Sequence, residues 1–244
     1  MFFKKKAVLL IHGFVGGIYD FGDLCNRLQI NKNIDVFSFT LPKHDLTIVK
    51  DVKYRDWIRE AERQIQFLID NNYNEIYVVG HSMGGVIAAY LASVYDEIKR
   101  LVLVAPAFGY FSFNDGVLDI KGVNGSLRKM KDALKDDTEI AFSRIIKTPI
   151  TTMAEFTKLV NKYYTSVKHI YCDTLIIHGN DDMIVPKEAT DYVYDNIKSE
   201  NVLLYNMKKV NHNCFRGKRG NEVIELIDRF LCNPVSKKKE TLDI

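Results

Sequence analysis

Residues 76–84 read Ile76-Tyr77-Val78-Val79-Gly80-His81-Ser82-Met83-Gly84, and the apolar stretch 86–95 follows directly. The four residues ahead of Gly80 are β-branched or aromatic and read as a short buried strand, while 86–95 reads as a helix. The chain must therefore turn from strand to helix within a few residues. Such a turn strains the backbone of its central residue, and glycines two positions to either side remove Cβ atoms that would collide there. Ser82 then stands clear of the backbone at the end of a strand, the setting that a G-x-S-x-G nucleophile requires.

The same alternation extends along the chain. Short apolar runs at 7–11, 34–39, 76–79, 101–104, 174–177 and 202–205 read as buried strands. The clearest helix between them spans 54–72, where Trp57, Ala61, Ile65 and Leu68 mark one buried face. Further helices are expected after Ser82, Pro186 and Arg219, the last carrying Val223, Leu226, Ile227 and Phe230 inward. Alternating strands and helices predict an α/β fold on a parallel sheet. One interval is too long for a single crossover helix, the roughly 65 residues between Ala105 and Asp173. Leu127, Met130 and Leu134, and then Phe142, Ile145 and Ile146, recur there at helical spacing. The expected organisation is a core of residues 1–106 and 173–234, a helical cap over 107–172 and a polar, frayed tail over 235–244.

Bulk properties narrow the function. In 244 residues with 47% hydrophobic content there is material for one sizeable core. Thirty-four Lys and Arg against 31 Asp and Glu leave a net charge of +3, too little for a global field that collects nucleic acid or anionic membrane. The basic clusters 4–6 and 237–239 read as solvated ends. Cys25, Cys172, Cys214 and Cys232 are scattered without a C-x-x-C pair, which suits free thiols in a reducing compartment. The apolar run 7–11 is too short for an export signal, and no stretch is long enough to span a membrane. A cytoplasmic protein without integral membrane association, acting on a small molecule, is expected; the oligomeric state stays open.

A serine hydroxyl needs an imidazole to take its proton and a carboxylate to orient that imidazole. His212 follows the strand at 202–205, and Asp182 follows the strand at 174–177, with Asp181 beside it as an alternative acid. Both lie at C-terminal strand ends, where open α/β sheets assemble their sites, in the order Ser, Asp, His. The competing histidines are His12, His44, His81, His169 and His178; of these His81 is expected to point away from Ser82, and His12 and His178 end strands on the wrong sequence segments. Two backbone N–H groups must also receive the oxyanion of a tetrahedral intermediate. Met83 supplies one by position, and Phe14 in the glycine-rich loop His12-Gly13-Phe14-Val15-Gly16-Gly17 is the candidate for the other.

From His12-Gly13-Phe14 to the last helix, the chain resembles small bacterial carboxylesterases and monoacylglycerol-lipase-like members of the α/β-hydrolase superfamily. The resemblance places the nucleophile at Ser82, the acid at Asp182 through the G-x-x-D-x-x-V-P pattern at 179–186, the base at His212, and the oxyanion donors at Phe14 and Met83. Thr148-Pro149 also looks like a cap segment of that family. The chain departs from the pattern in starting almost at the family's third strand, in having Asn211 before the base, and in carrying Asp181 next to Asp182. The resemblance implies an α/β-hydrolase fold with a mostly parallel sheet of about six strands, flanked by helices and bearing a helical cap. It also implies an acyl-serine mechanism without metal or organic cofactor, whose rate rises as His212 loses its proton. The substrate it suggests is a short- to medium-chain carboxylic ester or a monoacylglycerol. Phe108, Tyr110, Phe111 and Phe113 are candidates for an apolar pocket. Two alternatives stand beside this reading: an acyl thioesterase, which a basic rim at Arg128, Lys129 and Lys131 would favour, and a ligand-binding protein with an idle triad.

Overall fold

The computed structural model describes residues 5–30, 34–46, 48–109, 147–233 and 238–244, together with short strands at 113–114 and 117–118. β1 (Lys5–Ile11), β2 (Asp35–Ser38), β3 (Tyr73–His81) and β4 (Ile98–Val104) form one half of the main sheet. β5 (Phe113–Asn114) and β6 (Val117–Leu118) make a separate antiparallel pair. β7 (Asp173–Gly179), β8 (Val202–Met207) and β9 (Lys239–Asp243) complete the main sheet. Its order is β2-β1-β3-β4-β7-β8-β9, with every neighbouring pair parallel.

Helices cover both faces, which explains why the central strands are apolar without alternation. α1 (Leu24–Gln29) and α6 (Gly220–Cys232) lie on one face, contributing Leu24, Leu28, Val223, Ile227 and Phe230 to its core. On the other lie α2 (Tyr54–Asp70), α3 (Met83–Val94), α4 (Ile150–Tyr163) and α5 (Lys187–Asn196). The period-two geometry of β1 divides its side chains between the two cores: Ala7, Leu9 and Ile11 face α2 and α3, while Val8 and Leu10 face α1 and α6. In α2, Trp57, Ala61, Ile65 and Leu68 form the buried face that their spacing predicts.

Two expectations need correction. The sheet has seven strands, not about six, and the additional one comes from the segment expected to fray. Lys239 to Asp243 pair with Val202 to Asn206 in parallel register. Asn206 Nδ2 donates to Asp243 Oδ1 at 2.8 Å, the Ile244 N–H donates to Asn206 O at 3.0 Å, and Lys239 sits 4.7 Å over the ring of Tyr194. A charged strand with one apolar residue suits a sheet edge, where charge also discourages pairing with another molecule.

Within the expected cap, α4 and a 3-10 turn (Tyr164–His169) are helical and pack on α3, and α4 also packs on α2. Glu155 of α4 accepts a hydrogen bond from the Tyr54 N–H at 3.2 Å, so a buried carboxylate from this segment caps the start of α2. Phe108 is fully buried, its ring 6.3 Å from those of Tyr164 and Tyr192. Tyr110, Phe111, Leu127, Arg128, Lys129, Met130, Lys131, Leu134, Phe142, Ile145 and Ile146 lie outside the described residues, as does the Phe113 side chain.

Candidate active site

The strand order decides where a site can form. From β1 the chain moves outward to β2, then crosses back to β3 on the other side of β1. The loops leaving the C-terminal ends of β1 and β3 therefore diverge, and a crevice opens between them. Ser82 sits at that point, between β3 and α3, with φ 54° and ψ −119°. A non-glycine residue in this region is strained, and the surroundings hold it there. The Ser82 N–H donates to Val104 O at 2.9 Å, and Ser82 O accepts from the N–H groups of Gly85 at 2.9 Å and Ala107 at 3.1 Å. A Cβ on Gly80 would lie 2.3 Å from Gly84 O, and one on Gly84 would lie 2.0 Å from Ile11 O. The two glycines thus make room for the turn and for the approach of α3 to β1. Met83 is the first residue of α3, so its N–H has no partner within the helix and adjoins Ser82.

Two loops from the other half of the sheet meet this serine. His212 Nε2 lies 3.0 Å from Ser82 Oγ, and His212 Nδ1 lies 2.8 Å from Asp182 Oδ2. A carboxylate only accepts, so Nδ1 carries the ring proton and Nε2 is left to accept from the serine hydroxyl. Asp182 Oδ1 accepts the N–H groups of Ile184 at 2.8 Å and Val185 at 2.9 Å, which locks the carboxylate plane. Its side chain is fully buried. Burial alone would raise the Asp182 carboxyl, but His212 and the two backbone donors outweigh it and hold the group below the ordinary carboxylate range. Asp181, the alternative acid, is exposed, and its N–H donates to Val210 O at 2.9 Å.

On the opposite wall stands the loop after β1. A Cβ on Gly13 would lie 3.1 Å from Ser82 Cβ, so glycine lets the loop approach the serine. The Leu41 N–H donates to His12 Nε2 at 2.9 Å, which leaves the His12 Nδ1 proton to bond Gly13 O at 2.8 Å. Phe14 stacks on Phe156 of α4 with centroids 5.0 Å apart and meets Trp57 of α2 edge-on at 5.9 Å. The loop is therefore fixed from the sheet side by His12 and from the helix side by aromatic packing.

Ser82, Asp182 and His212 thus come together, with Met83 and the Phe14 loop beside them. His169 is exposed at the end of its 3-10 turn, and His44 packs against Trp57. His178 is buried at the end of β7, where burial lowers its pKa. His81, expected to point away from Ser82, lies within the site. Its Nε2 lies 2.9 Å from His212 O, and its ring centroid is 5.0 Å from that of His212. Burial foremost, then the neighbouring His212, push its pKa down to about 3, so the ring is neutral. Adjacency to Ser82 was the available signal for His81, but chain neighbours on a strand face opposite ways, and the contact comes from the distant loop at 212. The tie from Glu155 and Phe156 to α2 and Phe14 had no comparable sequence signal.

Among the described residues, no group of His, Cys, Asp or Glu is placed to hold a metal ion, and no helix is long and apolar enough to cross a membrane. All four cysteines are free. Comparison with known proteins agrees with the fold. The model of the serine aminopeptidase S33 family matches residues 4–218. A thermostable monoacylglycerol lipase of Bacillus sp. (strain H-257) is 25% identical over 202 residues, covering 79% of this chain and 77% of that protein. A carboxylesterase of Bacillus subtilis (strain 168) is 22% identical over 199 residues, covering 80% and 79%. The solved structure of a metagenome-derived lipolytic enzyme, from work on LipS and LipT, superimposes with a TM-score of 0.74 at 18% identity, covering 93% of this chain and 94% of that one. With a family match over most of its length and a parallel sheet of its own that superimposes on that structural neighbour, the chain belongs to the serine aminopeptidase S33 family of α/β-hydrolase-fold serine hydrolases, among relatives that are esterases and lipases.

Proposed function

We propose that the protein hydrolyses carboxylic esters, either short- to medium-chain acyl esters or monoacylglycerols, through an acyl-serine intermediate. The observation that carries this reading is the continuous line from Asp182 Oδ2 through His212 to Ser82 Oγ, with contacts of 2.8 and 3.0 Å. Ser82 Oγ attacks the acyl carbon as its proton passes to His212 Nε2. The carbonyl oxygen becomes an oxyanion, received by the N–H groups of Met83 and Phe14. Collapse breaks the carbon–oxygen bond to the alcohol, which leaves with the proton from His212. Water then attacks the acyl-serine and gives its proton to His212; the acid departs, and Ser82 recovers its hydrogen. Asp182 stays ionised throughout and stabilises the imidazolium. In this reading 107–172 is a cap that shapes the acyl pocket, and the half-buried Phe14 is supported from behind by the buried rings of Trp57 and Phe156. Free thiols support a cytoplasmic setting.

The experiment is the intact mass of the wild type and of Ser82→Ala after exposure to a fluorophosphonate, alongside turnover of p-nitrophenyl butyrate and butyryl-CoA. One adduct confined to the wild type, with kcat on the ester lower by about 10³-fold or more in Ser82→Ala, is expected. Preference for butyryl-CoA would replace the esterase reading with a thioesterase. Absence of both adduct and turnover would leave a ligand-binding protein.

A further inference from the structure

Ser82 and His212 are far apart in sequence, and their 3.0 Å contact depends on how the loop after β8 is held against the turn after β3. Asp182 restrains the His212 ring through Nδ1, and the Asp181 N–H holds the start of the loop at Val210 O at 2.9 Å, but neither contact reaches the main chain of His212 itself. His81 supplies that restraint. A carbonyl oxygen can only accept, so the 2.9 Å contact between His81 Nε2 and His212 O is a hydrogen bond donated by the His81 ring. His81 directly precedes Ser82, so one turn both presents the nucleophile and grips the main chain of the base.

Packing supports this arrangement. The His81 ring lies 5.0 Å from that of His212, and meets Phe215 edge-on at 5.7 Å, so it is wedged inside the loop that carries the base. Only 4% of the residue is exposed, and its Nδ1 is buried with no hydrogen-bond partner among the described residues. Burying a polar atom unpaired is costly, and a packing role alone would be met better by an apolar ring. The retained nitrogen is therefore explained by Nε2, the only atom of this ring that makes a polar contact here. Neutrality matters too, since a second charged ring at this distance would oppose the imidazolium that forms on His212 during acyl transfer.

We propose that His81 is a positioning residue: through its hydrogen bond to the His212 carbonyl it holds the base in register with Ser82, without touching substrate. This rests on the acyl-serine reading above. A small displacement of a catalytic group can cost on the order of 100-fold in rate.

The test compares wild type, His81→Phe, His81→Gln and Ser82→Ala on p-nitrophenyl butyrate, with active sites counted by fluorophosphonate mass. Phenylalanine keeps the ring and deletes the donor; glutamine restores an N–H donor near the position of Nε2. For His81→Phe the expected result is a kcat per labelled site lower by about 10- to 100-fold, with KM within about twofold. His81→Gln should recover most of that kcat although it fits the aromatic niche less well. A structural role would show the reverse order, with phenylalanine tolerated and glutamine damaging. Wild-type kcat in His81→Phe, or no recovery in a folded His81→Gln, overturns the positioning role while a dead Ser82→Ala leaves the mechanism standing. Turnover retained by Ser82→Ala overturns both.

Discussion

The turn at 80–84 and the edge strand β9 are both sites where the chain meets a neighbouring strand, yet they are specified in opposite ways. At the turn, atoms of three elements crowd one point. Gly84 has no room for a Cβ beside Ile11 O, Gly80 has none beside Gly84 O, and Ser82 is held at a positive φ by bonds to Val104, Gly85 and Ala107. At β9 there is no crowding: the strand alternates exposed and half-buried residues and is retained by ladder bonds to β8 and a few polar contacts. Steric exclusion writes itself into residue identity, because few side chains are admissible. Edge pairing is generic to the backbone and leaves little trace in residue type.

The comparison is broken most sharply by Gly84→Ala. Its new Cβ would fall 2.0 Å from Ile11 O and 2.5 Å from His12 O, both backbone atoms. Relief requires α3 to withdraw from β1, and a loss of about 3 kcal/mol or more is expected, with loss of fluorophosphonate labelling. Denaturant unfolding of the variant measures it; a change below about 1 kcal/mol would mean that the turn is far more compliant than its contacts imply.

A second measurement sharpens the contrast through pH. Burial holds the His81 ring neutral, with a folded pKa of about 3 against the ordinary 6.5. Below pH 6.5 the unfolded chain therefore binds a proton that the folded chain refuses, so stability falls with decreasing pH across that window, by at most about 1.4 kcal/mol per unit. Asp182, whose pKa is lowered on folding, adds to the loss in the more acidic range, as pH drops below its unfolded value and through its folded one. His81→Phe should have a shallower slope between pH 6 and 4 than the wild type when unfolding is measured in urea. Parallel slopes would show that water reaches the ring.

The smallest effect is expected at the edge. Removing residues 239–244 deletes the β9 ladder and the bond from the Lys208 N–H to Ile244 O at 2.8 Å. About 1–2 kcal/mol should be lost, or roughly 2–4 °C in Tm per kcal/mol, with esterase turnover unchanged and a greater tendency to associate through the uncovered β8. A loss matching that of Gly84→Ala would place the edge on a level with the turn.

The same contrast accounts for what could be read in the sequence. The inner strands are legible because both faces of the sheet are covered, which demands unbroken apolar runs such as Val8 to Ile11, whereas β2, at the edge, is exposed or half-buried throughout. Ser82, Asp182 and His212 are legible because each occupies the end of such a run. β9 is not, since Leu242 is its one apolar residue and pairing with β8 overrides weak local preference. Nor are the contacts that hold the site together: Glu155 reaches the start of α2 and His81 reaches the loop at 212 across more than a hundred residues of chain. No local pattern encodes a contact of that range.

β4 and β7 are adjacent in the sheet and pair from Arg100 with Asp173 through Val104 with Ile177, although the whole segment 105–172 lies between them in the chain. Among the described residues the main sheet takes no strand from that excursion, which leaves and returns at one seam. Closing such a detour costs only logarithmically with its length, about 0.6 kcal/mol for each doubling. Descendants of this chain can therefore lengthen, shorten or exchange the excursion by insertion and deletion while inheriting the strand ladder and its reactive serine unchanged.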